Sequence, residues 1–163
     1  MYNIGIIGAG KVGVSLGRYL SGLEYTNLVG YYSRSLDSSA YAAKVTNSGK
    51  FTSIEKLVEK SNVILITTPD DQISEIWSTI SKFSIQNKIV CHCSGSLSSE
   101  IFFDISSKGA SGCSMHPILA ISSKENSYKD LSSAFFTLEG QDEAVEFFSR
   151  VLDSKGNKYK VLS

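Results

Sequence analysis

The sequence predicts an α/β domain: a doubly wound, mostly parallel sheet with helices on both faces. Three observations carry this expectation. Strand-like apolar runs alternate with segments of helical spacing along the whole chain. The strand runs are apolar at successive positions, as in strands covered on both sides. A glycine-rich turn, Gly8-Ala9-Gly10-Lys11-Val12-Gly13, follows the first strand directly and opens the first helix.

Each element has a local cause. Residues 3–8 (Asn-Ile-Gly-Ile-Ile-Gly) form a short apolar run, the mark of a buried strand. Val12, Leu16, Tyr19, Leu20 and Leu23 then recur at helical spacing. Thr26 to Tyr32 is a second apolar strand, residues 36–46 an Ala-rich helix, residues 50–52 a brief strand, and Ile54 to Lys60 a helical turn or two. Asn62 to Thr68 is the clearest strand, and Pro69 stops it because proline cannot donate to a ladder. Asp70 and Asp71 cap the next helix, where Ile73, Ile76, Trp77 and Ile80 repeat at helical spacing. Lys88 to Cys93 reads as a strand, Leu97 to Ser106 as a helix, and Ser111 to His116 as a strand ending at Pro117. Ala134 to Leu138 is a further strand, Ala144 to Leu152 mark a final helix, and Tyr159 to Leu162 a last short strand. No repeat or linker divides the chain, so residues 1–163 read as one domain.

Composition narrows the function classes. Lys plus Arg and Asp plus Glu both number 16, giving zero net charge. A nucleic-acid protein needs a basic excess to displace counterions, and an anionic membrane surface needs a polybasic segment. Neither partner is expected. No apolar run approaches the roughly 18 residues of a spanning helix, and the N-terminus has no basic leader. The expected location is the cytoplasm. The three cysteines, Cys91, Cys93 and Cys113, then read as reduced thiols. Cys91-His92-Cys93 lies in a strand-like run and not in a C-x-x-C knuckle, so no metal site is expected.

The glycine turn points to a dinucleotide. Gly8 permits the tight turn, Gly10 lets a pyrophosphate approach the backbone, and Gly13 lets the helix pack close to the sheet. The N–H groups that open the helix, at Lys11 and Val12, face the phosphates with a partial positive charge. The second strand ends in Tyr31-Tyr32-Ser33-Arg34-Ser35, without the carboxylate that would hold an NAD ribose. Ser33 and Ser35 can donate to a 2′-phosphate, and Arg34 can pair with it or stack on the adenine. The expected cofactor is therefore NADP(H).

Ligands of open α/β sheets lie outside the carboxyl ends of the strands. Thr67, Thr68 and Pro69 end one strand and would run along the pyrophosphate and nicotinamide ribose. His92-Cys93-Ser94-Gly95-Ser96 and Met115-His116-Pro117-Ile118 end two more. His116 is a candidate acid/base. Ser94 and Ser96 can orient a carbonyl or hydroxyl. His92 reads as a hydrogen-bonded residue of a buried strand.

The glycine fingerprint, Ser33-Arg34-Ser35, Thr-Thr-Pro-Asp-Asp-Gln-Ile (67–73), His-Cys-Ser-Gly-Ser (92–96) and Ser-Met-His-Pro-Ile (114–118) occur in that order. Together the chain resembles the N-terminal Rossmann-like domain of the DUF2520 family. That family is similar to NADP-dependent reductases such as coenzyme F420:NADP oxidoreductase, pyrroline-5-carboxylate reductase and prephenate dehydrogenase. The resemblance implies that Gly8, Gly10, Lys11 and Val12 meet the pyrophosphate and that Ser33 and Arg34 meet the adenosine phosphate. It also implies that His116 matches a substrate-contacting histidine of prephenate dehydrogenases. Such proteins usually continue into a helical second domain that closes the cleft and forms a homodimer. The sequence ends where that domain is expected, so the expectation is a cofactor-binding chain that is catalytically silent alone. The function expected is hydride transfer to or from a small molecule; the alternative is a dinucleotide-sensing or interaction module without turnover.

Overall fold

Short runs rich in apolar residues supply the centre of one eight-stranded sheet. The computed structural model describes all 163 residues. The strands are β1 (Tyr2–Ile7), β2 (Thr26–Tyr32), β3 (Gly49–Phe51), β4 (Val63–Ile66), β5 (Ile89–His92), β6 (Ser111–Ile118), β7 (Phe135–Gly140) and β8 (Lys158–Val161). The helices are α1 (Lys11–Leu20), α2 (Leu36–Thr46), α3 (Ile54–Lys60), α4 (Asp70–Ile80), the single turn α5 (Ser127–Asp130) and α6 (Asp142–Lys155). Strand order is β3-β2-β1-β4-β5-β6-β7-β8. All neighbours are parallel except β6 and β7. The predicted class, α/β with a mostly parallel sheet, is the one observed.

Burial on two faces explains the unbroken apolar runs. Along β4, Val63 and Leu65 join the larger core under α1 and α6, whereas Ile64 and Ile66 join the smaller core under α3 and α4. All four are fully buried. Trp77 of α4 anchors the smaller core. It meets Phe102 edge-on at 5.4 Å and donates its indole N–H to the Phe103 carbonyl.

The chain winds outward from β1 to β2 and β3, then returns to the other side of β1 as β4. The connections leaving β1 and β4 therefore diverge, which opens a crevice at the carboxyl ends of those two strands. That crevice positions the candidate site.

Two sequence expectations are corrected. Leu97 to Ser106 is not a helix: two 3₁₀ turns, Ser99–Ile101 and Ser106–Lys108, bracket an irregular stretch. Glu139 of β7 pulls this stretch in, accepting from the Ser99 N–H at 2.7 Å and the Ser99 hydroxyl at 2.6 Å. A side chain distant in sequence thus replaces the helical ladder. β6 also does not end at Pro117 but runs on to Ile118. Pairing with β5 stops at Ser114, so beyond it β6 has one neighbour, β7. A proline is tolerated where a strand is locally an edge. No helix is long and apolar enough to cross a membrane.

Candidate functional site

The turn from β1 into α1 is built on Thr67. Its hydroxyl reaches the carbonyls of Gly8 (3.0 Å) and Ile7 (3.3 Å), tying the end of β4 to the glycine turn. Gly8 sits at φ 111°, a conformation open to glycine. Gly13 is packed so closely that an added Cβ would lie 2.2 Å from the Gly8 carbonyl oxygen. Gly10 behaves differently: an added Cβ would meet no atom within 4 Å.

The free space beside Gly10 belongs to a cavity of about 570 Å³. Gly8, Ala9 and Gly10 form its floor, Ser33 and Arg34 one end, and Thr67, Thr68 and Pro69 the side toward β4. Gly10 caps α1 without a side-chain hydrogen bond, and the first turn of α1 holds no acidic residue. Its leading N–H groups are thus left for an anion. The Thr68 hydroxyl is buried without a hydrogen-bond partner, and its residue lines the cavity. A cradle with room at Gly10 and an unused hydroxyl at Thr68 fits a dinucleotide pyrophosphate.

Other predicted residues have other places. Lys11 is exposed at the start of α1, and Val12 packs against the larger core. Neither side chain lines the cavity, and both residues stand in the opening turn of α1 next to Gly10. Ser35 is a helix cap: its hydroxyl accepts the Ser38 N–H at 3.2 Å and it does not line the cavity. Its hydroxyl keeps a proton to donate, and Ser38, on the same turn, lines the cavity with Ser33 and Arg34.

A further part of the cavity lining was not singled out from the sequence. Gln72, Glu75, Ile76 and Thr79 of α4 face the cavity, with Ile54 of α3 nearby. Their spacing of three, four and seven was legible as a helix face. Ile73, Trp77 and Ile80 are fully buried there, and Ile76 packs against the same core at its edge while also lining the cavity.

A second polar group lies past Pro69, at the ends of β5 and β6. Ser94 is buried; its hydroxyl accepts the N–H groups of Ser96 and Leu97, both at 3.2 Å. Exposed Ser96 donates its hydroxyl to the Asp70 carboxylate at 2.7 Å. Hydrogen bonds from Ser96 and Ser94 hold the Asp70 carboxyl below its usual range. His116 is half-buried, with Nδ1 3.2 Å from the Cys93 carbonyl. The structure thus brings Ser94, Ser96 and His116 together and adds Asp70.

His92 stands apart. It is fully buried, Nδ1 accepting the Ser94 N–H at 3.2 Å and Nε2 lying 3.1 Å from the Ser98 carbonyl. Burial pushes its pKa down. It braces the loop after β5. Cys91 and Cys113 are buried free thiols and Cys93 is half-buried. No group of three or more His, Cys, Asp or Glu side chains converges as a metal site.

A sequence-family model of Rossmann-like domains matches residues 1–117. The chain belongs to that Rossmann-like family. The match covers the glycine turn, the cavity and both serines, and ends one residue past His116. No curated protein matches the sequence. Among solved structures, the Rossmann-like chain is similar to a protein named as an NADP oxidoreductase from Bacteroides fragilis, with 18 % identity and a TM-score of 0.85 over 99 % of this chain and 61 % of that one. Prephenate dehydrogenase from Aquifex aeolicus, in complex with hydroxyphenyl propionate and NAD+, gives 20 % identity and a TM-score of 0.80 over 100 % of this chain and 60 % of that one. Pyrroline carboxylate reductase from Plasmodium falciparum, with NADP bound, gives 12 % and 0.73 over 99 % of this chain and 58 % of that one. These identities show a shared fold. The chain spans about three-fifths of the length of each of these structures.

Proposed function

We propose that this chain is the NADP(H)-binding domain of an oxidoreductase that moves a hydride to or from a small molecule. The observation that carries the reading is the cavity at the β1–β4 crevice, open at Gly10 and ended by Ser33, Arg34 and Ser38. The α1 N-terminus and the Thr68 hydroxyl would hold the pyrophosphate. Ser33, Arg34 and Ser38 would hold a 2′-phosphate, since no carboxylate closes β2 to repel it. The bound dinucleotide supplies the hydride chemistry; the chain supplies position. The neighbours described above, which include NADP and NAD+ complexes, support the same class.

Calorimetric titration of NADP+ and NAD+ tests it. One charge-assisted contact contributes about 1.5–3 kcal/mol, so NADP+ is expected to bind about tenfold more tightly or better. Arg34→Ala should remove most of that preference. Equal affinities in the unmodified chain would overturn the 2′-phosphate reading.

A further inference from the structure

Hydrogen-bond polarity at the carboxyl edge restricts what this site can take, given the dinucleotide reading above, on which the following rests. The Asp70 carboxylate can only accept, so the 2.7 Å contact fixes the Ser96 hydroxyl as its donor. Ser94 Oγ already accepts two backbone N–H groups, so its proton turns to the Asp70 carboxylate or to Ser96 Oγ, which lies at 3.3 Å. Ser96 is left with at least one free lone pair and no proton to offer. The Cys93 carbonyl also only accepts, so a neutral His116 carries its proton on Nδ1. Its Nε2 is then an acceptor as well. Gly95 lies against that nitrogen: a Cβ there would stand 2.6 Å from Nε2. With the His116 ring neutral, the side chains of Asp70, Ser96 and His116 thus present acceptors, and one of them is an exposed carboxylate.

We propose that the wall formed by Asp70, Ser96 and His116 takes a cationic N–H donor: a protonated imine or its amine product, in preference to a carbonyl or alcohol. The chemistry agrees with the polarity. Hydride from the reduced dinucleotide adds to the carbon of a C=N–H⁺ group, the π pair becomes the nitrogen lone pair, and the oxidised dinucleotide carries the positive charge away. The balance needs no added proton. A carbonyl oxygen is itself an acceptor, and neither the Ser96 hydroxyl, committed to Asp70, nor the Asp70 carboxylate offers it a proton. Asp70 also offsets the charge of the iminium.

The test is binding. The 163-residue chain is first saturated with NADP+, monitored calorimetrically. It is then titrated by NMR with pyrrolidine, a cation at pH 7.5, and with cyclopentanone, a neutral carbonyl of the same ring size. Pyrrolidine is expected to bind about tenfold more tightly or better, shifting resonances of Asp70, Ser96 and His116. Asp70→Asn should cost about tenfold in pyrrolidine affinity and leave cyclopentanone unchanged. If Asp70→Asn does not fold, Ser96→Ala, which removes one acceptor, should weaken pyrrolidine severalfold. Equal binding of the two rings, preference for the ketone, or no pyrrolidine binding to the NADP+-loaded chain would each overturn the proposal. Failure of NADP+ itself to bind would instead strike the dinucleotide reading, and this inference would fall with it.

Discussion

Gly10 and Gly13 are three residues apart, and identical as letters, yet they have opposite physical roles. A methyl group at Gly13 would collide with the Gly8 carbonyl, whereas one at Gly10 would meet no protein atom. Gly13→Ala should therefore cost stability: overpacking costs about 1–3 kcal/mol, offset only in part by the roughly 1 kcal/mol of added helix propensity. Gly10→Ala should change stability by about 1 kcal/mol or less, as a loss of cap preference, but should weaken NADP+ binding at least tenfold by filling the phosphate space. Thermal melts and titrations of both variants check this. The idea fails if Gly10→Ala binds like the unmodified chain, or if Gly13→Ala melts unchanged. The sequence alone suggested both roles, because the spacing of the three glycines carries them. It did not reveal Thr67 as the hydroxyl that ties the turn to β4. Nor did it separate Ser33, which lines the cavity, from Ser35, which caps α2. Both are serines beside one arginine, and only the start of α2 decides which one the helix claims.

At the scale of elements, β5 and its loop depend on one buried imidazole. His92 bridges Ser94 and Ser98 through both ring nitrogens, which requires the neutral ring with its proton on Nε2. Burial depresses its pKa, so the unfolded chain takes up the proton first. Stability from this group is complete above the ordinary histidine value of about 6.5 and is lost as pH falls through it toward the folded value. The melting temperature should decline between about pH 7 and pH 5. His92→Gln, though less stable throughout, should show a flatter profile across that window. A slope that survives the substitution would place the titration elsewhere. Elements were legible wherever a single apolar period governs, as in β1, β4 and α4. They were lost where a distant partner decides, as at 97–106, where Glu139 holds Ser99, and at Pro117, where the end of β5 leaves β6 a local edge.

At the scale of the whole molecule, a sheet that opens as one unit would couple the cavity to strands that do not touch it. Cys91 and Cys113 face each other across β5 and β6, and both are fully buried. Burial also raises the Cys91 pKa, which suppresses the reactive thiolate. These two thiols should react with an aromatic disulfide reagent only when the sheet opens, whereas half-buried Cys93 reacts earlier. A ligand that binds only the folded chain, at 100 times its Kd, stabilises it by about 2.7 kcal/mol. Where opening is fast and reversible, labelling tracks the open population. NADP+ at that concentration should slow the Cys91 and Cys113 reactions by about 100-fold. NAD+ at the same concentration, if it binds tenfold more weakly, should slow them by only about tenfold. Mass spectrometry of each labelled cysteine over time gives the three rates separately. If NADP+ is shown to bind and the buried pair still labels at the unliganded rate, then β5 and β6 open while the β1–β4 crevice stays intact. The sheet would then not unfold as one cooperative unit.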